Sequence, residues 1–252
     1  MAAAIGWTAG GPSPRRAAAP GTFQRGRPAG PPSWQPDSPR GYAPWRERDV
    51  VGLPVIGNDV VDLTDPAIVL HHQNERFVER VCSEEERPRV ATARDLWSLF
   101  AAKEAAYKAV VKLGGSPGFG HRSILVASDL ASVAWSDLRL ALQITGGVDH
   151  VHAVAWTEGV RPLVRVVRTE GSRGDESERA RRVLRELLST ALGCPADEFE
   201  VVRDSSPGSW DGYGPPRVLR AGAKIDADVS LSHDGHFVAA AAVLVAGRRT
   251  AW

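Results

Sequence analysis

The chain has 252 residues, 43% of them hydrophobic, enough to build one large core or two small ones. Lys and Arg number 31 against 30 Asp and Glu, a balance that excludes a long basic face for nucleic acid or an anionic membrane. Cys82 and Cys194 are too few and too far apart for a disulfide framework or a CxxC metal site, which points to a reducing, cytoplasmic setting. The longest apolar stretch, Val238 to Ala246, falls well short of the roughly 20 residues that a membrane span needs.

Residues 1–50 hold nine of the eighteen prolines, with Ala, Gly, Arg and Ser and no periodic apolar pattern, and the composition predicts a disordered tail. From Val55 to Leu63 a run rich in β-branched residues reads as a buried strand ending at Thr64-Asp65-Pro66. Between Asp95 and Leu113, Leu96, Trp97, Phe100, Ala101, Tyr107, Val110 and Val111 recur at helical spacing, and Gly114-Gly115 ends the helix. Asp175 and Glu178 form the pattern of a capping box for a second helix, with a stripe of Val183, Leu184, Leu187, Leu188 and Ala191 that stops at Gly193. Val229 to Val245 reads as a hairpin turning at Asp234-Gly235.

These elements come twice. Both helices end in Leu-Gly, and each is followed by a strand ending near an Asp (Asp129, Asp204) and then by a closing strand of small residues, His152–Trp156 and His236–Ala240. The expected fold is therefore α+β, as two similar modules over 51–172 and 173–252, joined near Thr169–Asp175.

On the first helix, Glu104 lies four residues after Phe100 and seven before Val111, so the spacing sets an acid within the apolar stripe, with Lys108 one turn later. An exposed Glu–Lys pair at i,i+4 is the plain alternative, contributing about 0.2–0.5 kcal/mol. Asp59 is likewise set among Val55, Gly57, Val61 and Leu63 on one strand face; capping of a local turn is its plain alternative. Two carboxylates from separate elements suit Mg²⁺, which keeps several waters and takes one or two protein acids. In Ser230-Leu231-Ser232-His233-Asp234-Gly235-His236, hydroxyl, imidazole and turn amides together suit a phosphate. No Gly-x-Ser-x-Gly elbow accompanies Ser232, no strand–GxxxxGK[ST]–helix loop exists, and His233 with His236 lacks further zinc ligands at suitable spacing.

Three segments taken together resemble the 4′-phosphopantetheinyl transferase superfamily: Gly57-Asn58-Asp59-Val60-Val61-Asp62, Trp97 through Phe100-Ala101-Ala102-Lys103-Glu104-Ala105 to Lys108, and Ser230-Leu231-Ser232-His233-Asp234. The motif order is that of the short holo-acyl-carrier-protein synthases, and the doubled length is that of the surfactin-type pseudo-dimers. Gly114-Gly115-Ser116-Pro117-Gly118 is similar to the Gly-rich loop after the family's helix. The resemblance implies a pseudo-two-fold, monomeric enzyme that moves phosphopantetheine from coenzyme A to a serine of an acyl or peptidyl carrier protein. It implies that Asp59 and Glu104 hold Mg²⁺ (or Mn²⁺) and that Glu104 and Lys108 are catalytic. Lys103, Lys108, Ser232, His233 and Arg217 would meet coenzyme A. The sequence departs from the surfactin type where Val61 replaces a second acid, Asp62 matching the synthases instead, and where Gly214-Pro215-Pro216 replaces Gly-Lys-Pro, leaving Arg217 as the substitute cation. A catalytically inactive homologue that binds carrier proteins is the alternative function, against which the retained Asp59, Glu104 and Lys108 argue.

Overall fold

The computed structural model describes residues 54–115, 120–170, 174–206 and 212–245. The predicted tail, part of the Gly-rich loop and part of the expected joint at 169–175 lie outside the described residues. In chain order the strands are β1 Ile56–Asp62, β2 Ile124–Val126, β3 Ser132–Trp135, β4 Leu138–Thr145, β5 His150–Trp156, β6 Leu163–Arg168, β7 Phe199–Ser205, β8 Tyr213–Arg220, β9 Ala223–Lys224, β10 Ala227–Asp234 and β11 Phe237–Leu244. The α-helices are α1 Pro66–Val69, α2 Glu75–Val81, α3 Ala93–Lys112 and α4 Glu176–Leu192. The content is α+β.

The first sheet runs β1-β5-β4-β3-β2, with β1 an edge strand paired antiparallel to β5 from Ile56↔Trp156 to Asp62↔His150. A second sheet runs β10-β11-β6, and a third runs β7-β8-β9, with β8 beside β10. β6 precedes the expected joint in sequence yet pairs with β11.

Strand alternation decides what each sheet face meets. Val61 of β1 and Val151, Ala153 and Ala155 of β5 turn to α3 in one core. Ile56 and Val154 turn the other way, against Ala241 and Val243 of β11, and Val60 meets Phe237 and Ala239. The opposite side of β11, with Val238, Ala240 and Ala242, packs on Ala180, Val183, Leu184 and Leu188 of α4. The layers are thus α3, first sheet, second sheet, α4.

α3 is started by a capping box in which Thr92 and Asp95 satisfy one another's backbone N–H. Its core face is made of Ala101, Ala102, Ala105, Ala106 and Ala109, small residues that let β1 come close. A Cβ on Gly57 would overlap the Ala105 carbonyl oxygen, so glycine is what permits that approach. The stripe Phe100, Glu104, Tyr107, Val111 is therefore the half-exposed border of the helix and not its core face. On α4 the expected capping box does not form: Asp175 is the N-cap without a side-chain bond, and Glu178 turns to Arg181 and Arg185. Gly193, at φ 66°, closes that helix as expected. The last hairpin pairs Asp234 with Phe237, so its two-residue loop is Gly235-His236, one position later than the sequence pattern suggested.

Candidate active site

The site begins at the outer edge of β1, where α3 lies alongside. Lys108 Nζ donates to Asp59 Oδ1 at 2.8 Å and to the Asn58 carbonyl at 2.9 Å, which leaves one of its three N–H bonds free for another acceptor. Asp59 is 2% exposed, and its Oδ2 is buried without a hydrogen-bond partner. Burial pushes the Asp59 carboxyl above its usual range; Lys108 pulls it back down and the charge of Glu104 adds to the rise.

One turn before Lys108, Glu104 has 29% of its side chain exposed and its Oε1 lies 2.6 Å from His121 Nε2. Burial by itself raises the Glu104 carboxyl, but the His121 hydrogen bond and charge, with Lys108, outweigh it and hold the group below its ordinary value. His121 is itself stacked on Phe100, ring centroids 5.0 Å apart, so the imidazole is held at the carboxylate by packing as well as by hydrogen bonding.

β10 supplies the other wall. Asn58 N–H donates to Ser230 Oγ at 3.0 Å, and Asp62 N–H to Asp234 Oδ2 at 2.8 Å, which draws Ser232 and His233 alongside β1. Ser232 is 1% exposed, and its Oγ has no partner; neither does His233 Nε2. Burial lowers the His233 pKa to about 4, so its imidazole is neutral at pH 7. Behind the site His152, fully buried, lies 3.2 Å from Asn58 Nδ2 through its Nε2, and burial lowers its pKa to about 3.

Of the sequence-predicted residues, Asp59, Glu104, Lys108, Ser232 and His233 thus border the neighbouring strands β1 and β10 and the face of α3 beside them. Two others go elsewhere. Lys103 was expected to meet coenzyme A, but it is fully buried, and its Nζ is committed to Glu86 Oε2 at 2.5 Å, His121 O at 3.1 Å and Ile124 O at 2.8 Å. It stands one residue before Glu104, about 100° around the helix, and so faces the loop carrying Glu86 instead of the β1 edge. Arg217 lies on β8, where it donates to Asp204 on β7 at 2.6 Å.

Sequence reasoning missed His121 and Lys112. Lys112 Nζ binds Ile56 O at 2.6 Å, Val229 O at 2.6 Å and Asp228 Oδ2 at 2.9 Å, joining α3, β1 and β10. Its signal was available: three of the chain's four lysines fall on α3. His121 had no such signal, being 17 residues from Glu104 and carried there by a short 3₁₀ turn, His121–Ser123.

Among the described residues no group of three or more His, Cys, Asp or Glu could hold a metal by itself. What is present is a buried, unpartnered carboxylate oxygen on Asp59 beside a second acid. An oxygen-only donor set of two carboxylates fits a hard divalent cation that keeps most of its waters.

Residues 55–159 match the family model of the 4′-phosphopantetheinyl transferase superfamily, a span that holds Asp59, Glu104, Lys108 and His121. That region is therefore similar to a domain of the superfamily. No curated protein matches the chain.

Proposed function

We propose that the protein transfers phosphopantetheine from coenzyme A to a serine of an acyl or peptidyl carrier protein, in a Mg²⁺-dependent reaction at one site per chain. The observation that carries this reading is the pair of buried polar atoms left without partners on neighbouring strands, Asp59 Oδ2 on β1 and Ser232 Oγ on β10. Buried polar groups are nearly always paired, so an unpartnered carboxylate oxygen on Asp59, whose other oxygen Lys108 holds, is what a polar ligand or cation would satisfy.

Asp59 and Glu104 would hold the metal, which supplies positive charge against the pyrophosphate of coenzyme A. Ser232, His233 and the free N–H of Lys108 donate to phosphate oxygens. The carrier serine Oγ forms a bond to the β-phosphorus as the bond from that phosphorus to the 3′,5′-ADP oxygen breaks. Glu104 takes the serine proton, directly or through a water that it orients, and His121 fixes the direction in which its carboxylate points. Lys108 stabilises the charge that leaves with 3′,5′-ADP.

Two similar halves support a pseudo-two-fold arrangement. The pairing order β1-β5-β4 beside α3 has its counterpart in β6-β11-β10 beside α4. On this reading β6 opens the second half, and the second module begins ahead of β6. On the same reading the protein is a monomer, supported by α3 and β10 of one chain both reaching β1.

The test is incubation with coenzyme A and a panel of apo carrier proteins, followed by mass spectrometry. A carrier gains the mass of phosphopantetheine with Mg²⁺ and does not in excess chelator. Full transfer in chelator, or no transfer to any carrier, overturns the proposal.

A further inference from the structure

An edge strand exposes alternate N–H and C=O groups that a neighbouring strand would ordinarily pair. Along β1 those N–H groups meet side chains instead. Ile56 N–H donates to Asp228 Oδ2 at 2.7 Å, Asn58 N–H to Ser230 Oγ at 3.0 Å, and Asp62 N–H to Asp234 Oδ2 at 2.8 Å, each partner lying 172 residues further along the chain. β10 thus presents an oxygen at every second residue, Asp228-x-Ser230-x-Ser232-x-Asp234, as a ladder against the edge of β1. In this series Ser232 falls to Val60, and its hydroxyl is the one without a partner.

The ladder is closed at the Ser232 end by Asp62. Its carboxylate, 2% exposed, accepts four hydrogen bonds: Oδ1 takes Thr64 N–H at 2.9 Å and Thr64 Oγ1–H at 2.6 Å, and Oδ2 takes His236 N–H at 2.8 Å and His236 Nδ1–H at 2.9 Å. Between Asp234 and His236 sits Gly235, at φ +50°, where a Cβ would overlap Asp62 Oδ2. Two independent features, the accepted bonds and the glycine, mould the β10–β11 turn to this one carboxylate.

We propose that Asp62 is a positioning residue: it clamps the Asp234-Gly235-His236 turn to the end of β1, and so fixes Ser232 and His233 against Asp59 for coenzyme A binding. Asp62 is three residues from Asp59 and acts through the turn. The assignment to coenzyme A rests on the proposed function, whereas the clamp itself does not.

The test compares wild type with Asp62→Asn, Asp62→Ala, His236→Ala, Gly235→Ala and the double variant Asp62→Ala/Gly235→Ala. His236 is 59% exposed at its side chain, so His236→Ala removes one of the four bonds without emptying the core. Amide exchange over residues 232–236 reads the clamp without any activity, and calorimetry reads coenzyme A binding. Asp62→Asn speeds exchange and weakens coenzyme A binding on the order of tenfold, with a smaller effect in the same direction from His236→Ala. The Mg²⁺ concentration for half-activation and kcat at saturating coenzyme A stay within about threefold, a split that general destabilisation would not give. Gly235→Ala matches Asp62→Asn, and the double variant is less impaired than the sum of Gly235→Ala and Asp62→Ala, because the overlap needs the carboxylate. Unchanged exchange and affinity in His236→Ala and in folded Asp62→Asn, or strict additivity in the double variant, overturns the clamp. If wild type neither binds coenzyme A nor transfers, the proposed function falls, while exchange at 232–236 still decides the clamp.

Discussion

α3 and α4 do the same structural work, each covering one face of a sheet, and they differ in what they bring to it. α4 buries Ala180, Val183, Leu184 and Leu188; on its surface Arg181 and Arg185 pair with Glu178, and Glu186 pairs with Arg165 of β6. α3 makes its core face of alanine and sets Lys103, Glu104, Lys108 and Lys112 along its borders. Aligned on their Leu-Gly ends, Glu104 falls on Val183 and Lys108 on Leu187. Packing a helix on a sheet therefore needs none of these charges: Lys103 and Lys112 are committed to protein acceptors, whereas Glu104 and Lys108, held by His121 and by Asp59 with the Asn58 carbonyl, are the two that the proposed function uses.

The largest effect expected from that difference is on turnover. Asp59→Ala and Glu104→Ala each lower kcat/KM by about a hundredfold or more, while far-ultraviolet circular dichroism stays that of wild type. Near-normal turnover in either variant would remove the metal assignment. The reverse exchange sharpens the contrast: Val183→Glu puts an unpaired charge into the α4 core and costs roughly 3 kcal/mol in denaturant unfolding, with no gain of activity. Lys103 separates structural charge from catalytic charge. Lys103→Met strands Glu86 and destabilises by about 3–5 kcal/mol, yet the folded fraction keeps its specific activity, and Lys103→Met/Glu86→Gln is less destabilised than Lys103→Met alone. A rise in KM for coenzyme A at full stability would instead return Lys103 to the site.

The smallest effect is in pH. Burial, with the charges of Asp59, Asp62 and Asp65, raises the Asp234 pKa from 3.8 to about 6. The fold thus favours the neutral form, and the stability it gains is full below the unfolded pKa and is lost as pH rises through about 6. Asp234→Asn keeps an acceptor for Asp62 N–H and removes that loss. Its melting temperature relative to wild type therefore climbs between about pH 4 and about pH 7.5. A constant difference across that range would show that Asp234 does not titrate as a buried acid.

Much of this was legible before the structure. β-branched residues marked β1, helical spacing marked α3 and α4, and the three motifs marked the residues that gather at the edge of β1. What periodicity did not give was which way a mostly buried helix turns. Phe100, Glu104 and Val111 share a stripe, but Gly57 draws β1 onto the alanine face instead and leaves that stripe at the border. Lys103 was misassigned for the same reason, since its partner Glu86 lies 17 residues earlier, outside any local pattern. Asp62 was visible only as the strand acid that matches the short synthases. Its bonds to a turn 174 residues distant belong to tertiary structure alone.

The central claim is that one chain makes one site, with Asp59, Glu104 and Lys108 from the first half and Ser232 and His233 from the second. The measurement that meets it most directly is a mixing experiment: Glu104→Ala and His233→Ala are unfolded together, refolded as a mixture, and assayed for transfer to an apo carrier protein beside refolded wild type. A site within each chain predicts no more activity from the mixture than from the two variants refolded alone. Recovery of a substantial part of wild-type turnover would mean that α3 of one chain meets β10 of another, and would contradict the account.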